Sequence, residues 1–195
     1  VTLDLAGHTI TGGWIHVGKD QDNKISTPST LKITGTGSFT TNGNLSVGES
    51  ATLDLSGWTG GEISAVNMSQ DKTNPDNEST LTVEAGGNQM GGSIGSLKFF
   101  SWPSNKISKT KLTCGTYGEI PISMNQESSI SFSDLLAEGY AFQYTDGSGF
   151  VNYGTKASCS EGIGIISNVK VVKCTAHETE GESANCIYCN ADAAA

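Results

Sequence analysis

The stretch Thr2-Leu3-Asp4-Leu5-Ala6-Gly7 decides the fold, because close copies of it return along the chain. The copies are Thr30-Leu31-Lys32-Ile33-Thr34-Gly35, Thr52-Leu53-Asp54-Leu55-Ser56-Gly57 and Thr80-Leu81-Thr82-Val83. Their first residues are separated by 28, 22 and 28 residues, so two unequal units together repeat every 50 residues. Each copy alternates apolar and polar residues, which predicts a short strand with one buried face. Repetition at this period is typical of a solenoid.

A second apolar alternation follows each copy and usually begins at a glycine, at residues 13–17, 43–47, 61–66, 92–97 and 118–122. Glycine suits the corners between such strands because it accepts positive φ. Weaker copies of the first pattern lie at residues 111–115 and 129–132. The sequence therefore predicts an all-β, right-handed parallel β-helix of about five to six coils. The predicted core residues are Leu3, Leu5, Leu31, Ile33, Leu53, Leu55, Leu81 and Val83. The alternative is an antiparallel sandwich, which does not explain near-identity at a fixed offset.

Composition narrows the partners and the compartment. The net charge of −9 argues against nucleic acid, because its phosphates would be repelled. No apolar run is long enough to predict a membrane span. Few basic residues beside abundant Thr, Ser, Gly and Asn favour an extracellular protein. Since the chain begins at Val1 inside a strand motif, we expect a fragment of a larger exported protein.

Three regions follow along the chain: coils at 1–132, a cap at 133–172 and a Cys/His tail at 173–195. In the cap, Ser133 and Gly139 predict the two ends of a short helix. Residues 140–144 and 149–153 predict a β-hairpin turned at Asp146-Gly147, and residues 169–172 predict a last strand.

Two polar loops, at residues 18–24 and 69–77, lie one period apart. Their Asp and Asn oxygens suit Ca²⁺, but neither loop has the spacing of a known calcium loop. Solvated loops are the alternative.

The tail contains Cys174-Thr175-Ala176-His177 and, eight residues later, Cys186-Ile187-Tyr188-Cys189. Two such turns bring together four soft ligands, which is what tetrahedral zinc requires. We therefore predict a structural Zn²⁺ held by Cys174, His177, Cys186 and Cys189. A disulfide within the tail, or between the tail and Cys114 or Cys159, is one alternative. Free thiols are the other.

This tail resembles the short Cys/His modules that are repeated in large surface proteins of gut Firmicutes. The segment Ser131-Phe132-Ser133-Asp134-Leu135-Leu136-Ala137-Glu138-Gly139-Tyr140-Ala141-Phe142 is similar to the capping segment of the same proteins. So is Gly115-Thr116-Tyr117-Gly118-Glu119-Ile120. The resemblance implies a β-helix adhesin at the bacterial cell surface. Since some members bind immunoglobulin as B-cell superantigens, it also implies a host extracellular partner, with immunoglobulin variable domains the first to consider.

Aromatic residues supply the candidate ligand-binding positions, because aromatic rings bury much area with little loss of entropy. These candidates are Phe99, Trp102, Tyr140, Tyr144 and Tyr153. The alternative is that the same rings fill the cap. We expect no enzyme: Asp4 and Asp54 occupy the same motif position, but Lys32 falls between them and the coils contain no arginine. A passive stalk, a glycan- or mucin-binding β-helix and a polysaccharide-degrading enzyme remain the alternative functions.

Overall fold

The computed structural model describes residues 1–18, 28–41, 45–48, 50–68, 79–83, 91–101, 110–124, 130–145, 151–153, 158–159, 162–181 and 185–189. The strands in this part of the chain are β1 (Thr2–Asp4), β2 (Thr9–Gly12), β3 (Ile15–Val17), β4 (Thr30–Thr36), β5 (Ser38–Thr41), β6 (Leu45–Val47), β7 (Thr52–Met68), β8 (Thr80–Thr82), β9 (Gly92–Ser101), β10 (Thr116–Met124), β11 (Ile130–Ser131), β12 (Tyr140–Thr145), β13 (Val151–Tyr153), β14 (Ser158–Cys159) and β15 (Gly162–Lys173). A 3₁₀ helix at Phe132–Leu135 completes them. No helix in these ranges has the length and apolarity needed to cross a membrane.

The fold is all-β with a mostly parallel sheet, as the repeats predict. One large sheet contains every strand except β11 and β14, which pair with each other. Every pairing within the described residues of 1–101 is parallel. An antiparallel sandwich is therefore wrong for this region. The pairings do not close the large sheet on itself.

The Thr-Leu copies form one parallel stack in the order β1, β4, β7 and β8. Leu31, Leu53 and Leu81 lie side by side, in the register of the repeat. The first copy is displaced, because Leu3 lies beside Ile33 rather than beside Leu31. A shift of two residues preserves the alternation between buried and exposed positions, so the same face remains inside.

The second alternations form another parallel stack, and β7 belongs to both because it is 17 residues long. Apolar side chains follow three columns across this stack, which are Ile10-Phe39-Ile63-Ile94-Tyr117, Ile15-Leu45-Val66-Leu97 and Val17-Val47-Met68-Phe99-Ile122. Like residues on successive strands therefore fill the interior layer by layer.

The predicted core is largely confirmed. Six of its eight residues are buried, namely Leu5, Ile33, Leu53, Leu55, Leu81 and Val83. The other two, Leu3 and Leu31, are partly buried and pack against the same cluster.

The parallel arrangement ends at β10, which runs parallel to β9 on one side and antiparallel to β15 on the other. Beyond β15, β12 and β13 continue the antiparallel order. The hairpin predicted from residues 140–153 is thus confirmed, although its Asp146-Gly147 turn lies outside the described residues. The last strand is longer than the predicted 169–172, since β15 runs from Gly162 to Lys173. Within it, Asn168 adopts a φ of +54°.

The predicted capping helix differs in type and at both ends, since it stops at Leu135 and Gly139 is not its C-cap. It is a 3₁₀ helix that begins at Phe132, so Ser133 lies inside it and is not its N-cap. Residues three apart share one face of a 3₁₀ helix. Phe132 and Leu135 are both buried on that face.

Neither weak copy of the repeat forms a further parallel strand. In the first, Leu112 is buried and makes a single parallel bridge to Leu136. In the second, Ile130 and Ser131 pair antiparallel with Cys159 and Ser158. The two calcium candidates, residues 19–24 and 69–77, lie outside the part of the chain that the structure describes.

Candidate metal centre

The first ligand, Cys174, directly follows β15. Lys173, the last residue of that strand, pairs with Tyr140 of β12. The Cys174 amide then donates a 2.8 Å hydrogen bond to the Gly139 carbonyl. The strand ladder therefore fixes the backbone at the first ligand, and Cys174 is buried with 2% of its surface exposed.

The four predicted ligands converge on one point. One ligand atom from each of Cys174, His177, Cys186 and Cys189 lies within 4.8 Å of all the others. The Cys174 and Cys186 sulfurs are 3.9 Å apart, and His177 Nδ1 is 3.9 Å from the Cys189 sulfur. Zinc–sulfur bonds of about 2.3 Å in a tetrahedron place two sulfurs about 3.8 Å apart. These two distances are close to that value, and the four residues lie near enough to one another to hold a metal ion.

The three sulfurs and the imidazole differ in exposure. Cys174, Cys186 and Cys189 are buried, whereas His177 is exposed. His177 adopts φ +43°, in the left-handed region that non-glycine residues rarely enter. Strain of this kind marks a position that its surroundings determine.

Glu178 joins the two ligand pairs. Its carbonyl accepts a 2.7 Å hydrogen bond from the Ile187 amide, and its Oε2 accepts a 2.9 Å hydrogen bond from the Tyr188 hydroxyl. That second hydrogen bond raises the pKa of Tyr188. These contacts bring the segment after His177 against the Cys186 turn.

The environment of Cys186 favours its thiolate. Burial by itself raises the pKa of a thiol, but the backbone amides of Cys189 and Tyr188 lie against this sulfur and lower its pKa by more than burial raises it. The Tyr188 amide is 3.4 Å from the sulfur. The net pKa of Cys186 is lowered. Since metal is bound by thiolate rather than thiol, the turn is prepared for a cation.

Among the residues that the structure describes, Cys114, Cys174, Cys186 and Cys189 form no disulfide. A disulfide needs sulfurs about 2.0 Å apart, so the 3.9 Å between Cys174 and Cys186 is not a bond. Cys114 belongs to the main core, separate from the tail cluster. The side chain of Cys159 lies outside the description.

The aromatic candidates differ in burial. Phe99 is 2% exposed and belongs to the core, which corrects its assignment as a ligand-binding residue, because neighbouring strands cover its ring. Tyr140 is partly buried against the core, and Tyr144 is 38% exposed. Tyr153 lies on β13 opposite Gln143, but its side chain is not described. Trp102 lies outside the described residues.

Sequence reasoning missed one exposed aromatic position. Trp14 is 63% exposed, and its ring lies nearly parallel to that of His16 at a centroid distance of 6.0 Å. Trp14 and His16 alternate along the chain with Ile15 and Val17, whose side chains point inward. This alternation was the sequence signal that could have predicted the exposure of Trp14 and His16.

The acidic residues of the repeat are placed differently from one another. Asp54 forms an ion pair with Lys32, with 3.2 Å between Oδ2 and Nζ. Asp4 instead lies beside Thr34, and its carboxylate accepts the Ala6 amide at 3.0 Å. The two carboxylates therefore do not share one row of the outer face.

No protein-family model, curated protein or solved structure matches this chain.

Proposed function

We propose that this chain is a non-enzymatic binding segment of a bacterial cell-surface adhesin, closed at one end by a structural zinc ion. The convergence of Cys174, His177, Cys186 and Cys189 carries the zinc part of the proposal. Four protein ligands fill a tetrahedron, and a filled tetrahedron leaves no position for a substrate or a reactive water. The chemistry of the donor set, three thiolates and one imidazole, favours zinc over the harder cations that prefer oxygen.

We also propose that the segment is a right-handed parallel β-helix. The two parallel stacks share β7, and their apolar columns fill one interior. This supports a parallel β-helix. We take it to be right-handed, because crossovers between parallel strands are almost always of that hand. The antiparallel strands β15, β12 and β13 then cover the end of the stack, which protects an otherwise unpaired edge.

For the ligand we propose a host extracellular protein, with an immunoglobulin variable domain as the first partner to test. Tyr144 supports a binding role, since it is an exposed ring on a hairpin that the large sheet supports. The net charge of −9 suits a neutral or basic partner surface. A passive stalk and a glycan- or mucin-binding segment are the competing functions.

Metal analysis tests the zinc part. Purified protein is expected to contain one zinc per chain, and Co²⁺ substitution to give the visible absorption of a tetrahedral thiolate site. Cys186→Ser and Cys189→Ser remove ligands and are expected to abolish stoichiometric binding. Cys114→Ser is the matched control, because it removes a buried thiol outside the cluster. Metal-free protein whose tail cysteines are joined by disulfides would contradict the proposal.

A binding panel tests the ligand. Antibodies that differ in heavy-chain variable family are measured beside mucin glycans on the same surface. Binding that depends on the variable family, and that Trp102→Ala with Tyr144→Ala removes, supports the immunoglobulin proposal. Trp14→Ala is the control, because it deletes an exposed ring outside the hairpin. Binding to mucin alone would replace the immunoglobulin proposal with the glycan alternative, and no binding at all would favour the stalk.

A further inference from the structure

The strand β12 lies between two clusters of buried side chains. Phe142 faces the main core, and Ala141, on the opposite side of the strand, belongs to the cluster of Cys174, Cys186 and Cys189. Ala141 has no exposed surface. At Ala141 this strand is therefore covered by the candidate metal ligands themselves.

The cluster over Ala141 is poor in apolar surface. Its buried members are one alanine and three cysteines, with Ala176 and Tyr188 packed at its margin. Burial of so few carbon atoms contributes little free energy by the hydrophobic effect, while each ordered residue of the tail costs about 1–2 kcal/mol of backbone entropy. The tail therefore depends on metal binding for its order, because structural zinc contributes free energy directly to folding.

The hairpin depends on β12 in turn. Within the described residues, β13 pairs with β12 and with no other strand. β12 is held to the sheet by β15, through pairs that run from Gln143–Lys170 to Tyr140–Lys173. The next backbone contact after this ladder is the hydrogen bond from Cys174 to Gly139. The backbone hydrogen bonds between β12 and β15 therefore continue directly to the backbone of the first candidate metal ligand, Cys174.

We infer that metal binding at the Cys/His centre controls the order of the β12–β13 hairpin, and with it the surface that carries Tyr144. This inference rests on the metal centre proposed above and adds regulation to it. With metal, the tail covers Ala141 and excludes water from that position of β12. Without metal, the tail separates from Ala141, water reaches the strand there, and the hydrogen bonds of the hairpin break more often.

Hydrogen exchange of the full-length chain, read by mass spectrometry, tests the inference. Removal of zinc by a chelator is expected to accelerate exchange in β12 by about tenfold or more, a loss of about 1.4 kcal/mol of local stability. Exchange in β4 and β7 is expected to be unchanged, and returned zinc should restore the slow exchange in β12. Cys189→Ser should resemble the chelated protein without any chelator, and Cys114→Ser should resemble the untreated one.

A second variant tests the coupling between β12 and the metal centre by changing β12 and measuring zinc affinity. Ala141→Val adds two carbon atoms beneath the sulfurs, so it is expected to weaken zinc affinity by about fivefold or more while all four ligands are kept. The probe is zinc itself, in competition with a chromophoric chelator. Zinc affinity equal to that of the unmodified protein would overturn the inference.

The outcomes separate the two proposals. Failure to bind zinc would overturn the metal centre. Stoichiometric zinc, with identical β12 exchange before and after chelation, would leave the metal centre standing and overturn only its control of the hairpin. If Cys189→Ser also exchanges quickly in β7, that variant is globally unfolded, and the chelation of unmodified protein decides.

Discussion

Lys32 Nζ lies 3.2 Å from Asp54 Oδ2, so an ion pair joins two consecutive copies of the repeat across their outer face. The same carboxylate accepts hydrogen bonds from the Ser56 hydroxyl at 2.6 Å and from the Ser56 amide at 2.9 Å. Partial burial by itself would raise the pKa of Asp54, but the Ser56 hydrogen bonds and the Lys32 charge outweigh it and lower that pKa. Asp54 therefore stabilises the fold in its ionised form.

The first prediction concerns the pH dependence of that contribution. Because the folded pKa of Asp54 lies below its ordinary value of 3.8, its stabilisation is present above that value and is lost as the pH falls through the folded pKa. Asp54→Asn is expected to lower the free energy of unfolding at pH 7 by about 1 kcal/mol or less, since the pair is partly exposed. Urea denaturation at pH 7 and at pH 3 measures the difference.

At pH 3 the difference in the free energy of unfolding between the unmodified protein and Asp54→Asn should be smaller than at pH 7. Lys32→Met, alone and combined with Asp54→Asn, measures the coupling between Lys32 and Asp54. That coupling includes Ser56, because Lys32 Nζ also donates a 3.3 Å hydrogen bond to the Ser56 hydroxyl. An equal loss at both pH values would mean that ionisation of Asp54 contributes nothing.

The second prediction uses the close approach of two strands. A methyl group on Gly92 would lie 2.6 Å from the Gly61 carbonyl oxygen and 2.6 Å from the ring of Trp58. Trp58 is buried and donates a 2.9 Å hydrogen bond to the Gly37 carbonyl, so its ring is fixed. Gly92→Ala is therefore expected to cost about 2 kcal/mol or more. Gly12→Ala is the control, because nothing lies within 4 Å of its added methyl group. Thermal unfolding compares the two, and equal stability would contradict the packing of this corner.

The third prediction separates copies of the repeat by burial. Leu53 has no exposed surface, whereas its counterpart Leu3 is only partly buried. Leu53→Ala should lower the free energy of unfolding by about 2–5 kcal/mol, the range for a cavity in a core. Leu3→Ala should cost about 1 kcal/mol, near the average for a single substitution. Chemical denaturation of both variants gives the values, and similar losses would mean that Leu3 is as fully buried as Leu53.

The fourth prediction concerns the core of the second stack. Phe99 follows Met68 and precedes Ile122 in one apolar column. Phe99→Ala should cost about 3–5 kcal/mol of stability and leave any ligand affinity of the folded protein unchanged. Calorimetry and the binding panel give the two readings. A large loss of affinity in a variant of normal stability would return Phe99 to the binding surface.

The sequence predicts the parallel stacks because the alternation inside each copy is short, regular and repeated. It predicts the metal centre for a different reason, since Cys174, His177, Cys186 and Cys189 carry their chemistry and spacing in two short turns. Register is harder to predict, because the same alternation fits Leu3 beside Ile33 or beside Leu31. Local pattern also misjudged Ser133, because the helix is a 3₁₀ helix that begins one residue earlier, at Phe132.

The displaced register of the first copy bears on how the protein's length can change. Residues 2–7 and 52–57 are nearly identical, so exchange between their coding segments would remove or duplicate one unit of 50 residues. The joined strand would meet a neighbour in the ordinary register or displaced by two residues. Both arrangements keep the leucines inside, because two residues restore the same face. The chain can therefore lengthen or shorten by whole units of 50 residues while the same leucine positions fill the interior.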